Sequence, residues 1–187
     1  EGYRLLSPST GARNDAFRVA APPLFAEASR AALASADTAA DAVTHVVTVS
    51  CTGLMAPGPD YHLVRDLGLR STVERDHLGF VGCAAAVPAL RAAARIVAAD
   101  PAAVVLVAAA ELCSLHVTSS TDPEQIVAAS VFADGAAAAV VSGDGVSADG
   151  TGRRRLDLDG FATRLSPDGS ADMVWTVGDE GFRMTLT

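Results

Sequence analysis

Residues 103–110 read Ala-Val-Val-Leu-Val-Ala-Ala-Ala, an apolar run with no polar interruption. A strand apolar at every position has both faces covered, the pattern of a central strand in a parallel sheet flanked by helices. Residues 43–51, Val-Thr-His-Val-Val-Thr-Val-Ser-Cys, are rich in β-branched side chains and read as a second strand buried on at least one face. Alanine-rich stretches at 20–36 and 84–99 read as the covering helices. In the first, Pro22 and Pro23 are tolerable only within the opening turn, and Leu24, Ala28, Ala31 and Ser35 fall near one face. In the second, Pro88 is close enough to the start to be tolerated.

The connecting segments fit the same alternation. Residues 52–59 hold two glycines and two prolines and form a shaped turn into a short helix at 61–67, closed by Gly68 in a left-handed cap. A brief strand at 76–81 leads to the 84–99 helix. Asp122-Pro123-Glu124-Gln125 supplies an N-cap, a first-turn proline and a third-position Gln for a helix to about Val131. Asp134-Gly135 turns into a strand at 136–141. Residues 142–152 shift to Gly, Asp and Ser and read as an exposed loop, and Arg153-Arg154-Arg155 as a solvated strand edge. Residues 156–165 and 173–176 are weaker strand candidates, and residues 1–15 are polar and turn-rich. Strands alternating with helices predict an α/β layered domain.

Composition narrows the function. Half of the 187 residues are hydrophobic and only 5% are aromatic, so the core is built from closely packed Ala, Val and Leu. With 14 basic against 22 acidic residues the formal charge is -8, which leaves no basic stripe for a nucleic-acid backbone. The apolar runs are too short to span a bilayer and the first residues lack a signal-peptide layout, so a soluble cytoplasmic protein without membrane partners is expected. Cys51, Cys83 and Cys113 are odd in number and widely separated, which fits neither zinc ligation nor a disulfide framework and predicts reduced thiols and no metal.

Cys83 stands out among the three. It lies in Gly79-Phe80-Val81-Gly82-Cys83-Ala84-Ala85-Ala86, where a glycine-containing turn opens a helix. Unpaired backbone N–H groups and the positive end of the helix dipole favour a thiolate there, and so a nucleophile. The alternative is a small apolar filler, since free cysteine is among the most buried residue types.

Several ordered blocks then resemble the N-terminal half of the type III polyketide synthases, the chalcone and stilbene synthase-like branch of the thiolase superfamily. They are Thr44-His45-Val46-Val47, Cys51-Thr52-Gly53-Leu54-Met55-Ala56-Pro57-Gly58-Pro59-Asp60-Tyr61, Leu67-Gly68-Leu69-Arg70, Gly82-Cys83-Ala84-Ala85, Ala110-Glu111-Leu112-Cys113-Ser114 and Phe132-Ala133-Asp134-Gly135-Ala136-Ala137-Ala138. Ordered blocks over most of the chain are more specific than any lone motif. The resemblance implies a thiolase-like layered αβαβα fold, of which residues 1–187 supply mainly the N-terminal half. It also implies an acyltransferase in which Cys83 takes an acyl group from a coenzyme A thioester and malonyl-CoA is decarboxylated and condensed onto it, without a cofactor beyond these substrates, in a homodimer.

The same resemblance implies roles for further residues. Phe132 matches a phenylalanine guarding the mouth between the coenzyme A tunnel and the cavity; by itself it reads as a core aromatic before a turn. Cys51, Cys113 and His116 match positions lining the starter and elongation pocket, where plant members commonly carry threonines. The two cysteines read equally as filler, and His116 as a surface histidine. Pro57 and Gly58 match a cavity-forming loop near the dimer interface, in which Ala56 replaces a bulkier residue. Met184 matches the second, aromatic gatekeeper. His45, His62 and His77 read as structural or surface side chains.

Family members complete the site with a histidine and an asparagine from the C-terminal half, and bind coenzyme A through an early basic segment. Neither is found in this sequence, so a chain truncated at both ends is expected, poorly soluble or self-associating and inactive by itself. A ketoacyl-acyl-carrier-protein synthase III-like condensing enzyme and a non-catalytic dimerisation or assembly partner are the alternatives. Glu111-Leu112-Cys113-Ser114 and the Pro57-Gly58 loop favour the polyketide branch.

Overall fold

A computed structural model describes residues 8–143 and 155–186. The predicted loop at 142–152 and charge run at 153–155 fall largely outside the described residues, as do residues 1–7, and Arg155, which is described, lies in no strand. The chain runs α1 (Thr10–Ala36), β1 (His45–Ser50), α2 (Pro59–Asp66), β2 (Glu74–Gly79), α3 (Ala86–Ala99), β3 (Val104–Leu112), α4 (Pro123–Val131), β4 (Asp134–Ser142), β5 (Met173–Gly178) and β6 (Gly181–Leu186).

A four-stranded sheet has the order β2-β1-β3-β4. β1 is parallel to both β2 and β3, with Val47 opposite Asp76 on one side and Val107 on the other. β4 closes the sheet antiparallel to β3, Val107 opposite Ala139. Both faces of β1 and β3 are covered, as an unbroken apolar run requires. On one face Val46, Leu106 and Ala108 meet Phe17, Ala21, Phe25 and Leu63 of α1 and α2; on the other Val47, Val49, Val105 and Val107 meet Ala89 and Ala93 of α3.

α1 departs from expectation. It starts at Thr10, with Ser9 as N-cap accepting from the Ala12 N–H, so residues 10–15 are helical and Pro22 and Pro23 lie in its interior. Its buried face is Phe17, Ala21, Phe25, Ser29 and Leu33, while Ala31 and Ser35 are exposed and Leu24 and Ala28 half-buried. Two phenylalanines outweigh the alanines in choosing the buried stripe, and their burial offsets the helix N–H groups the prolines lack. Residues 156–165 form no strand either; Leu156 and Leu165 are exposed, so the segment has no apolar face to hold it on a sheet. The other predicted elements form within a few residues of their expected ends, and Gly68 takes the left-handed cap at φ 65°.

The connections place the chemistry. β1 leads through α2 on one face to β2, and β2 returns through α3 on the opposite face to β3. Successive connections leave β1 and β3 in opposite directions, so the crevice at their carboxyl ends is the topological switch point, where open α/β sheets bind ligands. Cys51 follows β1 directly, Cys113 follows β3 directly, and Cys83 lies in the turn between β2 and α3. All three cysteines therefore stand at this edge.

Candidate active site

Cys83 is exposed on a strained turn. Phe80, just after β2, has φ 54°, a left-handed value unusual for a non-glycine residue, and Gly82 has φ 101°. Gly82 O accepts from the Ala85 N–H at 3.0 Å, so Cys83 sits in a tight turn ahead of α3, which begins at Ala86, two residues later than expected. Such a turn holds Cys83 exposed, two residues ahead of the Ala85 N-cap of α3.

Cys51 and Cys113 are held in a different state. Glu111, next to last on β3, accepts from the Cys51 N–H at 2.9 Å, the Thr52 hydroxyl at 2.6 Å and the Ser50 hydroxyl at 3.3 Å. Burial first, and then the Glu111 carboxylate, push the Cys51 thiol up to about 12. The same two causes, in the same order, push Cys113 up to about 11, with Asp134 adding to the effect. Both sulfurs are therefore neutral thiols at ordinary pH.

Thr52 links this carboxylate to a histidine. Its hydroxyl accepts from the Leu112 N–H at 2.9 Å, and its carbonyl accepts from His116 Nε2 at 2.7 Å. His116 Nδ1 accepts from the Phe182 N–H at 3.1 Å, so both ring nitrogens are engaged and the neutral ring is fixed. Burial holds the His116 pKa below the usual histidine value, and the Arg13 guanidinium lowers it further. The ring stacks on Phe182 at 4.2 Å between centroids and meets Trp175 edge-on at 5.6 Å.

The β5–β6 hairpin thus forms a wall of the site. Trp175 Nε1 donates to Cys51 O at 2.9 Å, and Gln125 Nε2 of α4 donates to Met184 O of β6 at 2.6 Å. The cleft, open on one side, is lined by Cys113, His116, Phe132 and Met184 together with Trp175 and Phe182. Phe80 meets Phe182 edge-on at 5.3 Å, which ties the turn carrying Cys83 to the same wall.

Residues 3–145 match the profile of the N-terminal domain of chalcone and stilbene synthases. The chain belongs to this family. It is 40% identical over 121 residues to the α-pyrone synthesis polyketide synthase-like Pks18 of Mycobacterium tuberculosis, covering 65% of this chain and 31% of that protein. It is 31% identical over 183 residues to 1,3,6,8-tetrahydroxynaphthalene synthase of Streptomyces griseus, covering 97% of this chain and 47% of the relative. The solved C-terminal type III polyketide synthase domain of Steely1 from Dictyostelium superposes with a TM-score of 0.86 at 31% identity, over 96% of this chain and 48% of that one. The chain spans less than half the length of each of these chalcone and stilbene synthase relatives, and its layered α/β fold is that of the type III polyketide synthases.

Four of the residues singled out in the sequence, Cys113, His116, Phe132 and Met184, line one cleft in this family member. Cys51 lies just behind it through Trp175, and Cys83 at the adjoining turn. The surface reading of His116 is overturned, because the 3-10 turn Cys113–His116 carries the ring under the hairpin. Pro57 and Gly58 lie elsewhere, at the N-terminus of α2, and do not line the cleft; Pro57 is exposed. Glu111, Thr52, Trp175 and Phe182 were given no role in the sequence. The one available signal was that a cysteine follows each of the three parallel strands, with a carboxylate beside the last. No described helix is long and apolar enough to cross a membrane.

Proposed function

We propose that this chain carries the nucleophile of a type III polyketide synthase, an acyltransferase that condenses an acyl-CoA starter with malonyl-CoA. The observation that carries the reading is the contrast among the thiols: Cys83 is exposed on a strained turn at the switch point, while Cys51 and Cys113 are held protonated. The Cys83 thiolate attacks the thioester carbonyl, the carbon–sulfur bond to coenzyme A breaks, and coenzyme A leaves as the thiol. Loss of carbon dioxide from malonyl-CoA gives an enolate that attacks the Cys83 thioester. The new carbon–carbon bond forms as the Cys83 sulfur departs, and the extended chain remains on coenzyme A.

This condensation also needs a base for the thiol and donors for the enolate oxygen. None of the four histidines serves Cys83: His45 bonds Thr44, His62 bonds Arg65, His77 bonds Thr48, and His116 bonds Thr52 and Phe182. We assign these tasks to a histidine and an asparagine in a completing segment that matches the half of the relatives this chain does not span. The 187 residues alone are then inactive in condensation, and the exposed Pro57–Gly58 loop is available to a second copy in a homodimer.

The test is product formation from an acyl-CoA and radiolabelled malonyl-CoA by the chain together with that completing segment. Product is expected with Cys83 and not with Cys83→Ala. Condensation by Cys83→Ala contradicts the reading.

A further inference from the structure

Arg13, in the first turn of α1, is only 4% exposed, and no other Arg, Asp or Glu is buried among the described residues. No described carboxylate lies within ion-pair distance of it. Its donors go to carbonyls instead. Nε donates to Pro8 O at 2.9 Å, and Nη1 donates to Leu115 O and to Val117 O, the latter at 3.1 Å. Those last two carbonyls stand immediately before and after His116, so one nitrogen closes over the end of the Cys113–His116 turn. Nη2 is buried without a hydrogen-bond partner. A full charge taken out of water for three carbonyls, with one nitrogen left unsatisfied, is a poor source of stability. The same helical turn grips the hairpin. The Thr10 N–H donates to Asp179 O at 2.8 Å, and the Thr10 hydroxyl donates to Gly178 O and accepts from the Gly181 N–H at 2.7 Å. Gly181, at φ 115°, comes so near that a Cβ there would stand 3.0 Å from Arg13 Cδ and Nε.

We propose that Arg13 is a positioning residue of the site: its guanidinium fork sets the Cys113–His116 turn against the β5–β6 hairpin and so fixes the wall beside Cys83. Phe80, meeting Phe182 edge-on, joins that wall to the turn carrying Cys83. As a role in acyl transfer this rests on the reading of Cys83 as the acyl acceptor. The charge of Arg13 works in the same direction as its fork. Two charged groups act on the His116 ring, Arg13 from α1 and Glu111 from β3. Burial is the first reason the ring stays neutral; the Arg13 charge opposes protonation further, and Glu111 favours it. The hairpin faces the ring with Phe182 and Trp175, the turn adds the neutral Cys113 thiol, and α4 presents Gln125 across the cleft, none of them charged. Only the neutral ring keeps the Nδ1 lone pair that accepts from the Phe182 N–H. Fork and charge therefore hold one contact, that between the turn and the hairpin.

Lysine keeps the charge and loses the fork, whereas glutamine loses the charge, so two variants separate the two contributions. The chain, carrying fluorotryptophan at Trp175, its only tryptophan, is combined with the unlabelled completing segment. Two readouts then follow, neither of which needs acyl transfer: the fluorine NMR shift of Trp175 against pH, and iodoacetamide labelling of the cysteines mapped by peptide mass spectrometry. Arg13→Gln is expected to move the midpoint of the Trp175 shift to higher pH. It is also expected to raise labelling of Cys113 relative to Cys83 about tenfold, the change in open population that losing one charge-assisted hydrogen bond brings. Arg13→Lys is expected to keep the midpoint of the unsubstituted protein and still to raise Cys113 labelling. Where Arg13→Gln fails to fold, the labelling of Arg13→Lys decides. An unmoved midpoint in Arg13→Gln, Cys113 labelling unchanged in both variants, or an equal gain at all three cysteines as in general unfolding overturns the inference. Both readouts holding, while the unsubstituted protein takes no acyl group from hexanoyl-CoA, would remove the reading of Cys83 and leave Arg13 in its role.

Discussion

Glu111 holds three consecutive residues in place with one carboxylate, and its loss leaves the Cys51 N–H and the Thr52 hydroxyl, both on buried residues, without their acceptor. Glu111→Ala is expected to destabilise the fold by about 3 kcal/mol, measured by urea denaturation, because each unsatisfied buried donor is costly. Glu111→Gln keeps an acceptor but removes the charge. The Cys51 and Cys113 pKa values then fall, yet stay above the ordinary thiol value, since burial is the larger cause at both. With Glu111 intact, iodoacetamide at pH 8 is expected to label Cys83 well ahead of Cys51 and Cys113, as peptide mass spectrometry will show; equal labelling contradicts the assigned protonation states. At this scale Cys83 was legible in the sequence, because a strand, a glycine turn and a helix are all local. Glu111 was not, because its partners lie about sixty positions away and two of them are defined only once β1 and β3 pair side by side.

The element whose placement depends most on a titrating group is the β5–β6 hairpin. His116 is neutral in the fold with its pKa held below 6.5 by burial, whereas in the unfolded chain it titrates near 6.5. The unfolded state therefore binds more protons as the solution is acidified. The stabilisation is complete above pH 6.5 and is lost as pH falls from there through the lower folded value. Trp175 emission is expected to shift toward that of a solvated indole over this window, and His116→Gln to flatten the response. In the sheet, Leu106→Ala opens a void in the fully buried centre of β3 and is expected to cost about 3 kcal/mol by the same denaturation assay. β3 was legible from its composition because a strand covered on both faces carries no polar residue. The start of α1 was not, because polar residues 10–15 read as turns until Arg13 and Phe17 are seen buried against the hairpin and sheet; Arg13 bonds the carbonyls of Leu115 and Val117.

For the whole molecule, the parallel pairing of β1 with β2 and β3 puts all three cysteines at one edge; the sequence showed a cysteine after each of these strands, but not that the strands pair in parallel. The same architecture leaves apolar side chains in water: on α4 Ile126, Val127 and Val131 are 53%, 56% and 68% exposed, and Val81 and Val87 flank Cys83 at 54% and 49%. Surfaces of this kind mark interaction sites. The 187 residues alone are expected to self-associate in analytical ultracentrifugation, and Ile126→Lys with Val131→Lys to reduce that association. The central claim is that the Cys83 sulfur, and neither neighbouring thiol, receives the acyl group. It is tested most directly by incubating the chain and its completing segment with hexanoyl-CoA and mapping the adduct by peptide mass spectrometry. The account predicts a hydroxylamine-labile hexanoyl group on the Cys83 peptide that is absent from Cys83→Ala; a hexanoyl group on Cys51 or Cys113, or an adduct that survives Cys83→Ala, contradicts it.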